Sequence, residues 1–202
     1  MWNDRYAQPG FHFGTDPAAF LTAQAHHLTP GSSVLAVADG EGRNSVYLAG
    51  LGHRVTAMDA SPVGLEKARG LAAEAGVTVD YHLSDIEAWD WRAEAFDAVA
   101  AIFIQFSPPD VRARVFEGID RTLKPGGLLL LHGYAPRQVG YGTGGPPWVE
   151  HMYTLEMLEE AFAGYEVVVA RDYDADIQEG RGHSGVSGLV DFVARKGSGG
   201  FG

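Results

Sequence analysis

Short apolar segments alternate with segments of helical periodicity along most of this chain. The apolar segments are bounded by glycine, proline or aspartate, which is typical of strands buried in a sheet. The longest of them predicts a central strand with both faces covered. Seven strands are predicted, at residues 34–37, 54–58, 77–83, 96–106, 128–132, 165–170 and 188–194.

The segments between the strands carry signals for the start of a helix. Asp16 and Ser61 each stand before a proline, which predicts an N-cap followed by proline at the first helical position. Ser107 before Pro108 predicts another helix start, and Thr154 is predicted to cap the helix that follows it. Helices that alternate with strands predict an α/β fold with a doubly wound, mostly parallel sheet.

The last two predicted strands are joined by a short connection. Parallel neighbours need a long crossover, so this pair is predicted to be an antiparallel hairpin at one edge of the sheet. We expect residues 1–196 to form a single domain and residues 197–202 a flexible tail. Residues 1–15 hold four aromatic side chains and are predicted to close over the domain as a lid. The long loop at residues 134–153 is also typical of a lid or a binding loop.

Composition narrows the classes of partner. The net charge is −11 and only 15 basic residues are present, scattered along the 202 positions, so no nucleic-acid partner is expected. The chain has no cysteine, and its eight histidines show no zinc-helix spacing, so no metal is expected. No apolar segment is long enough to cross a membrane and no signal peptide is recognisable, so a cytoplasmic protein without membrane contact is expected.

The first strand is followed by a glycine turn and then a helix. Gly40 and Gly42 in this turn let a ligand approach main chain that a Cβ would block, next to a helix N-terminus. Asp59 ends the second strand and Asp85 follows the third. Ligands of such sheets bind at the carboxyl ends of the strands, so these residues are predicted to form one site. There a carboxylate at Asp59 can accept both hydroxyls of a ribose, and one at Asp85 can accept from an adenine amino group.

Together with further motifs, these residues resemble the class I S-adenosylmethionine-dependent methyltransferases, and most of all their tellurite-resistance branch. The resemblance covers nearly the whole chain. It rests on Ala-Asp-Gly-Glu-Gly-Arg-Asn at 38–44, Asp-Ala-Ser at 59–61, Ser-Asp-Ile at 84–86, Leu-Lys-Pro-Gly-Gly at 123–127 and Trp-Asn-Asp-Arg-Tyr at 2–6.

The resemblance implies a Rossmann-like methyltransferase fold of seven strands with the last one antiparallel, and S-adenosylmethionine as the cofactor. It places the methionine part at the two glycines, the ribose at Asp59 and the adenine beside Asp85. The cofactor-binding residues that it implies are Gly40, Glu41, Gly42, Asn44, Asp59, Ala60, Ser61, Asp85, Ile86 and Ile102. Ala36 and Ala38 depart from the family, which often has an acid and a glycine there, and this leaves the partner of the cofactor's amino group open.

The chemistry follows from that cofactor. Its methyl group is already activated, so alignment and exclusion of water should dominate, and a general base is needed only when the acceptor arrives protonated. The candidates for such a base are His132, Tyr134 and His183. The acceptor is expected to be a small molecule, with a chalcogen oxyanion such as tellurite as one candidate. The residues predicted to bind it are Tyr6, Phe13, Gln105, Arg137, Tyr141 and Arg181.

Two other classes of function stay open at this point. A nicotinamide-dependent oxidoreductase also uses glycines and an acid after the second strand, but Ser45 stands where its fingerprint needs a third glycine. A non-catalytic cofactor-binding protein is compatible with the departures at Ala36 and Ala38. We expect a monomer or a homodimer.

Overall fold

A computed structural model describes residues 2–198. Met1 and residues 199–202 are not described, so most of the predicted tail lies outside the described residues. The strands of one sheet are β1 (Ser33–Val37), β2 (Arg54–Asp59), β3 (Asp80–Leu83), β4 (Phe96–Ile102), β5 (Leu123–Tyr134), β6 (Glu166–Glu179) and β7 (His183–Arg195).

The order of the strands across the sheet is β3-β2-β1-β4-β5-β7-β6. β1 to β5 pair in parallel, whereas β7 lies between β5 and β6 and runs antiparallel to both. β6 is therefore an edge strand that forms a hairpin with β7. This arrangement confirms the predicted mixed α/β sheet and its antiparallel last strand.

Helices cover both faces of the sheet. They are α1 (Trp2–Tyr6), α2 (Ala19–Gln24), α3 (Arg43–Gly50), α4 (Pro62–Glu74), α5 (Pro109–Thr122), α6 (Gln138–Tyr141) and α7 (Leu155–Ala161). One face packs α5 and α7 on alternate residues of the central strands, and the other face packs α2 and α3 on the intervening ones. Among residues 2–198, no helix combines the length and the apolar composition that a membrane span requires.

Several predicted strand boundaries were wrong. β4 ends at Ile102 and not at residue 106, because Phe103 has a φ of +54° and leaves the extended conformation. β6 extends far beyond residue 170 although almost all of its side chains reach solvent. Backbone pairing with β7 stabilises β6. Because this pairing does not depend on apolar side chains, the hydrophobic pattern of the sequence does not show it.

Two of the predicted helix caps are confirmed and two are wrong. Ser61 Oγ accepts from the Gly64 amide, and Thr154 Oγ1 accepts from the Met157 amide. The helix predicted after Asp16 begins only at Ala19, where side chains from distant parts of the chain take the free amides. The helix predicted from Ser107 begins at Pro109, with no side-chain hydrogen bond at its cap.

Candidate functional site

The turn between β1 and α3 requires glycine at two positions for different reasons. Gly40 has a φ of +64°, and a Cβ there would lie 2.7 Å from the hydroxyl of Tyr6. Gly42 has a φ of +92°, and a Cβ there would lie 2.7 Å from the Cβ of Ala68 in α4. Ala38, which departs from the family motif, has a φ of +49°, in the left-handed region that favours glycine.

Asp59 joins the end of β2 to this turn. Its Oδ2 accepts from the amide of Gly40 at 2.8 Å, and its Oδ1 accepts from the amide of Ser61 at 2.8 Å. Burial raises the pKa of Asp59, and these two amides oppose that shift. The structure therefore brings three of the predicted cofactor residues into direct contact.

The carboxylate of Asp59 fits the ribose of the expected cofactor as a hydrogen-bond acceptor. Each carboxylate oxygen accepts one backbone amide and has a second lone pair, so two hydroxyls can still be accepted. Gly40 lies beside it without a side chain, under the ring of Tyr6. These residues fit S-adenosylmethionine at the positions that the resemblance implies.

The other predicted cofactor residues are more dispersed. Asp85 is exposed, and its Oδ1 accepts from the amide of Glu87. Ile86 and Ile102 are both buried, but they belong to core clusters on opposite faces of the sheet. Ala60 is exposed next to Asp59.

Glu41 and Asn44 contact the N-terminal segment, residues 2–18. Glu41 is buried, with its Oε2 accepting from the amide of His12 at 2.6 Å and its Oε1 2.9 Å from Lys67 Nζ. Asn44 Oδ1 accepts from the amide of Ala18 at 3.0 Å. Lys67 also donates to the carbonyls of residues 8 and 10. Glu41 of the glycine turn and Lys67 of α4 thus contact the predicted lid, whereas Asn44 contacts Ala18 just beyond it.

A series of aromatic rings leads from the lid to the sheet. The ring of His183 stacks between Phe13 of the lid and Phe103 after β4, with centroids 4.5 and 4.1 Å away. Phe103 meets the ring of His132 edge-on at 4.7 Å, and His132 stacks on Phe20 of α2 at 4.8 Å. We call these five rings the aromatic column. It brings His132 and His183, both predicted as bases, together with Phe13, predicted to bind the acceptor.

Tyr134 and His183 form a buried pair at one side of this column. The hydroxyl of Tyr134 is hydrogen-bonded to His183 Nδ1. Burial and the nearby charge of Arg43 hold the pKa of His183 well below its usual range. Burial and the carboxylate of Glu179 raise the pKa of Tyr134. Both groups are therefore neutral at neutral pH.

His132 pairs instead with a residue that the sequence reasoning missed. His132 Nδ1 lies 2.7 Å from Asp191 Oδ1, across β5 and β7. Asp191 interrupts the apolar segment at residues 189–194, and this one polar position was the available signal. Arg43 and Glu179, whose buried side chains lie 2.7 Å apart, were also missed, because nothing local links positions so distant in the chain.

The remaining predicted acceptor residues already have partners. Gln105 is buried, and its amide is bonded at both ends to the main chain of Tyr134, which gives it a structural role in this geometry. Arg137 pairs with Asp172 and Asp174, and the hydroxyl of Tyr141 donates to Asp174. These contacts lie on the exposed side of β6.

Tyr6 and Arg181 hold the lid from two sides. Tyr6 is buried against Gly40 and stacks on Trp2 with centroids 5.8 Å apart. Arg181, in the turn between β6 and β7, donates from Nη2 to the carbonyl of Pro9 at 3.1 Å. Between this turn and the lid lies a cavity of about 290 Å³, lined among others by Phe13, Arg43 and Glu179.

Part of the chain matches known methyltransferases. Residues 34–127 match the family model described as a methyltransferase domain. A ubiquinone biosynthesis O-methyltransferase from Methylobacterium nodulans is 38% identical over 119 residues, which cover 59% of this chain and 45% of that protein. A protein of the same name from Xanthomonas campestris pv. campestris is 39% identical over 133 residues, covering 64% and 54%. The chain thus spans about half the length of the curated relatives it matches.

Solved structures share the fold over most of the chain. TehB from Haemophilus influenzae aligns with a TM-score of 0.70 and 19% identity, covering 87% of this chain and 61% of that one. The 1,6-didemethyltoxoflavin-N1-methyltransferase from Burkholderia thailandensis, bound to S-adenosylhomocysteine, aligns with a TM-score of 0.66 and 24% identity, covering 91% and 80%. Identities this low show a common fold and do not identify an acceptor.

Proposed function

We propose that this protein, whose residues 34–127 match the model of a methyltransferase domain, transfers a methyl group from S-adenosylmethionine to a hydroxyl of a small, ring-containing acceptor. The observation that carries the proposal is the contact between Gly40 and Asp59, where the ends of β1 and β2 meet beneath an aromatic lid. An oxidoreductase is not supported, since the matched family and the named relatives are methyltransferases.

S-adenosylmethionine is the cofactor. When bound, it supplies a methyl group activated by the positive charge on sulfur. Asp59 would hold the ribose through the two lone pairs that its backbone partners leave free. The main chain of Gly40 would accommodate the methionine part when the lid carries Tyr6 away, whereas the missing Cβ of Gly42 makes room for Ala68 of α4. The lid would exclude water, so that the acceptor and the methyl group meet in an aligned, dry site.

The aromatic column supports an acceptor with a flat apolar part. His183 presents one ring face to Phe103 and the other to Phe13, which belongs to the lid. When the lid opens, Phe13 leaves and that face of His183 becomes free for a planar molecule. Offset stacking of two rings contributes about 1 kcal/mol beyond the area it buries. The relatives named O-methyltransferases suggest oxygen as the accepting atom.

A chalcogen oxyanion finds less support in this site. Such an anion needs a free cation, and Arg137 already pairs with two carboxylates while Arg181 holds the lid. Arg43, next to the glycine turn, is neutralised by Glu179. Tellurite therefore enters the experiments below as a competing acceptor. A cytoplasmic location and a monomer or homodimer stay predictions.

Calorimetry and a turnover assay test the proposal. S-adenosylmethionine should bind and NAD should not, and formation of S-adenosylhomocysteine should be fastest with catechol-type or other hydroxylated ring compounds. Tellurite and selenite serve as the anionic comparison. Binding of NAD in place of S-adenosylmethionine would refute the cofactor, and turnover with tellurite alone would refute the acceptor class.

A further inference from the structure

β5 and β7 bury an acid–histidine pair in a part of the sheet that is otherwise apolar. His132 and Asp191 stand opposite each other in the register of the two strands, and their side chains are each 3% exposed. The preceding pairs in the same register are leucine against phenylalanine and leucine against valine.

Packing alone does not account for this pair. Removing a carboxylate from water costs several kcal/mol, and apolar residues of similar volume are often as stable as a buried ion pair. The neighbouring cross-strand pairs show that this sheet can be filled with apolar side chains alone. This polar pair is deeply buried and lies at the carboxyl end of β5, beside the predicted acceptor site. Its position therefore indicates a role in the reaction.

Contacts from β6 fix the carboxylate. Tyr173 donates its hydroxyl to Asp191 Oδ1 at 3.0 Å, and Arg171 Nη1 lies 3.7 Å from Asp191 Oδ2. The same Oδ1 lies 2.7 Å from His132 Nδ1. An ionised Asp191 can only accept there, so the Nδ1 of His132 must carry the proton. In a neutral imidazole, the lone pair is then on Nε2.

We propose that His132 Nε2 takes the proton of the acceptor hydroxyl and that Asp191 is the positioning residue that keeps the imidazole in this tautomer. The inference rests on the proposed function. The acceptor oxygen forms a bond to the methyl carbon as the bond from carbon to sulfur breaks, and that electron pair stays on sulfur. The hydroxyl proton passes to Nε2, and the charge of the resulting imidazolium is balanced by Asp191. The proton passes from Nε2 to solvent after the product has left.

The other two predicted bases are less suited to this step. His183 gives its Nδ1 to Tyr134, and its protonated form is disfavoured by burial and by the charge of Arg43. Tyr134 is kept neutral by burial. Of the three candidates, His132 is the one whose ring is hydrogen-bonded to a carboxylate, which can balance the charge of a captured proton.

Phe103 covers His132 and therefore controls access to it. Its ring covers the imidazole edge-on, and its φ of +54° is strained for a residue with a Cβ. Such strain persists at functional sites, where the surrounding structure holds it. Phe103 also stacks on His183, whose other face is covered by the lid. Departure of Phe13 therefore loosens the stack that holds Phe103 over His132.

The experiment combines a spectroscopic and a kinetic readout. Proton–nitrogen NMR of protein labelled with ¹⁵N-histidine, assigned with His132→Gln, should show His132 protonated at Nδ1 in the wild type. Asp191→Asn should shift the population toward the tautomer protonated at Nε2. Turnover is measured with catechol, which must lose a proton, and with 4-nitrothiophenol, which is already ionised at neutral pH.

Asp191→Asn should lower kcat for catechol by roughly tenfold or more, with KM and S-adenosylmethionine binding unchanged, and should leave turnover of the thiolate unaffected. Asp191→Glu should restore part of the loss. The matched control is Asp120→Asn, because Asp120 lies on α5 and is hydrogen-bonded to Tyr165. It should change neither the His132 tautomer seen by NMR nor the turnover of catechol. Melting temperatures show that each variant is folded.

The outcomes separate the inference from the proposed function. If the wild type methylates no hydroxylated ring compound, the proposed function fails and the inference fails with it. If the wild type methylates catechol and Asp191→Asn does so at the same rate, only the inference is overturned. A proton on Nε2 of His132 in the wild type, or equal losses with both acceptors in Asp191→Asn, would also overturn it.

Discussion

Arg43 and Glu179 form a buried ion pair, 2.7 Å from Nη2 to Oε2, that joins the start of α3 to the end of β6. Both partners also contact the chain at residues 16–19. Arg43 Nη1 lies 3.5 Å from the carbonyl of Asp16, and Glu179 Oε1 accepts from the amide of Ala19. Three regions that are far apart in the sequence thus meet at one pair of charges beside the glycine turn.

Glu179→Gln should destabilise the protein by about 3 kcal/mol, because it leaves the charge of Arg43 buried without a counterion. Glutamine can still accept from Ala19, so the loss reports the ion pair. Urea unfolding measures it. Glu87→Gln is the matched control: it breaks an exposed pair with Arg114, and its effect should stay within about 0.5 kcal/mol. Equal effects of the two variants would show that the buried pair contributes no more to stability than the exposed pair does.

Asp59→Ala should weaken binding of S-adenosylmethionine by about 1.5–3 kcal/mol, since it removes charge-assisted hydrogen bonds to two hydroxyls. Calorimetry gives the affinity. Asp80→Ala, which alters an exposed acid on β3 that pairs with His82, should bind as the wild type does. A folded Asp59→Ala protein with unchanged affinity would contradict the assignment of the ribose site.

Ala38→Gly should raise the free energy of unfolding by about 0.5 kcal/mol. Relief of the left-handed conformation at a φ of +49° contributes about 1–2 kcal/mol, and the greater freedom of glycine in the unfolded chain offsets about 0.4–1 kcal/mol of it. The control is Ala113→Gly, on the exposed face of α5. It should lower the free energy of unfolding by about 1 kcal/mol. If Ala38→Gly lowered the free energy of unfolding as much as Ala113→Gly does, relief of strain at position 38 would be ruled out.

The sequence sufficed for the order of the elements and for the contact between Gly40 and Asp59. Alternation of strands and helices predicted the parallel sheet, and the positions of Gly40 and Asp59 at successive strand ends predicted that they meet, because parallel strands end at one edge. β6 was predicted too short, since its side chains face water and its stability comes from backbone pairing.

Contacts between distant segments could not be predicted in the same way. The path of the lid depends on Glu41, Lys67 and Arg181, whose partners are backbone groups that leave no trace in composition. Asp191 was visible as an acid in an apolar strand, but only the register of β5 and β7 shows that it faces His132. Long-range register is set by packing of the whole sheet.

The buried carboxyl of Asp39 should make stability depend on pH in an unusual direction. Burial raises its pKa to about 6, against the hydrogen bonds from Ser45 that lower it. Because the folded-state pKa is the higher one, this group stabilises the protein below pH 4, and the contribution is lost as the pH rises through 6. Between pH 4 and pH 8 the free energy of unfolding of Asp39→Asn should therefore rise by about 2–3 kcal/mol relative to the wild type. Unfolding at each pH measures this difference.

Asp97 provides the opposite case in the same protein. Lys124 and Ser33 lower its pKa to about 2, although burial opposes them. Its contribution is present above pH 4 and is lost as the pH falls toward 2. The deficit of Asp97→Asn relative to the wild type should therefore shrink on acidification. Parallel pH profiles for the Asp39 and Asp97 variants would contradict both assignments.

Hydrogen exchange tests the lid itself. The N-terminal segment lies over Gly40, whose neighbour Asp59 is buried, so we expect the cofactor to enter when that segment opens. Exchange at residues 2–18 and 134–148 should slow when S-adenosylmethionine is added, because binding stabilises the closed form. Lys67→Met, which removes the donor to the carbonyls of residues 8 and 10, should speed exchange at residues 2–18 without the cofactor and leave the far end of the sheet unchanged. Cofactor binding with no change in either segment would show that these residues are fixed connections and that entry follows another route.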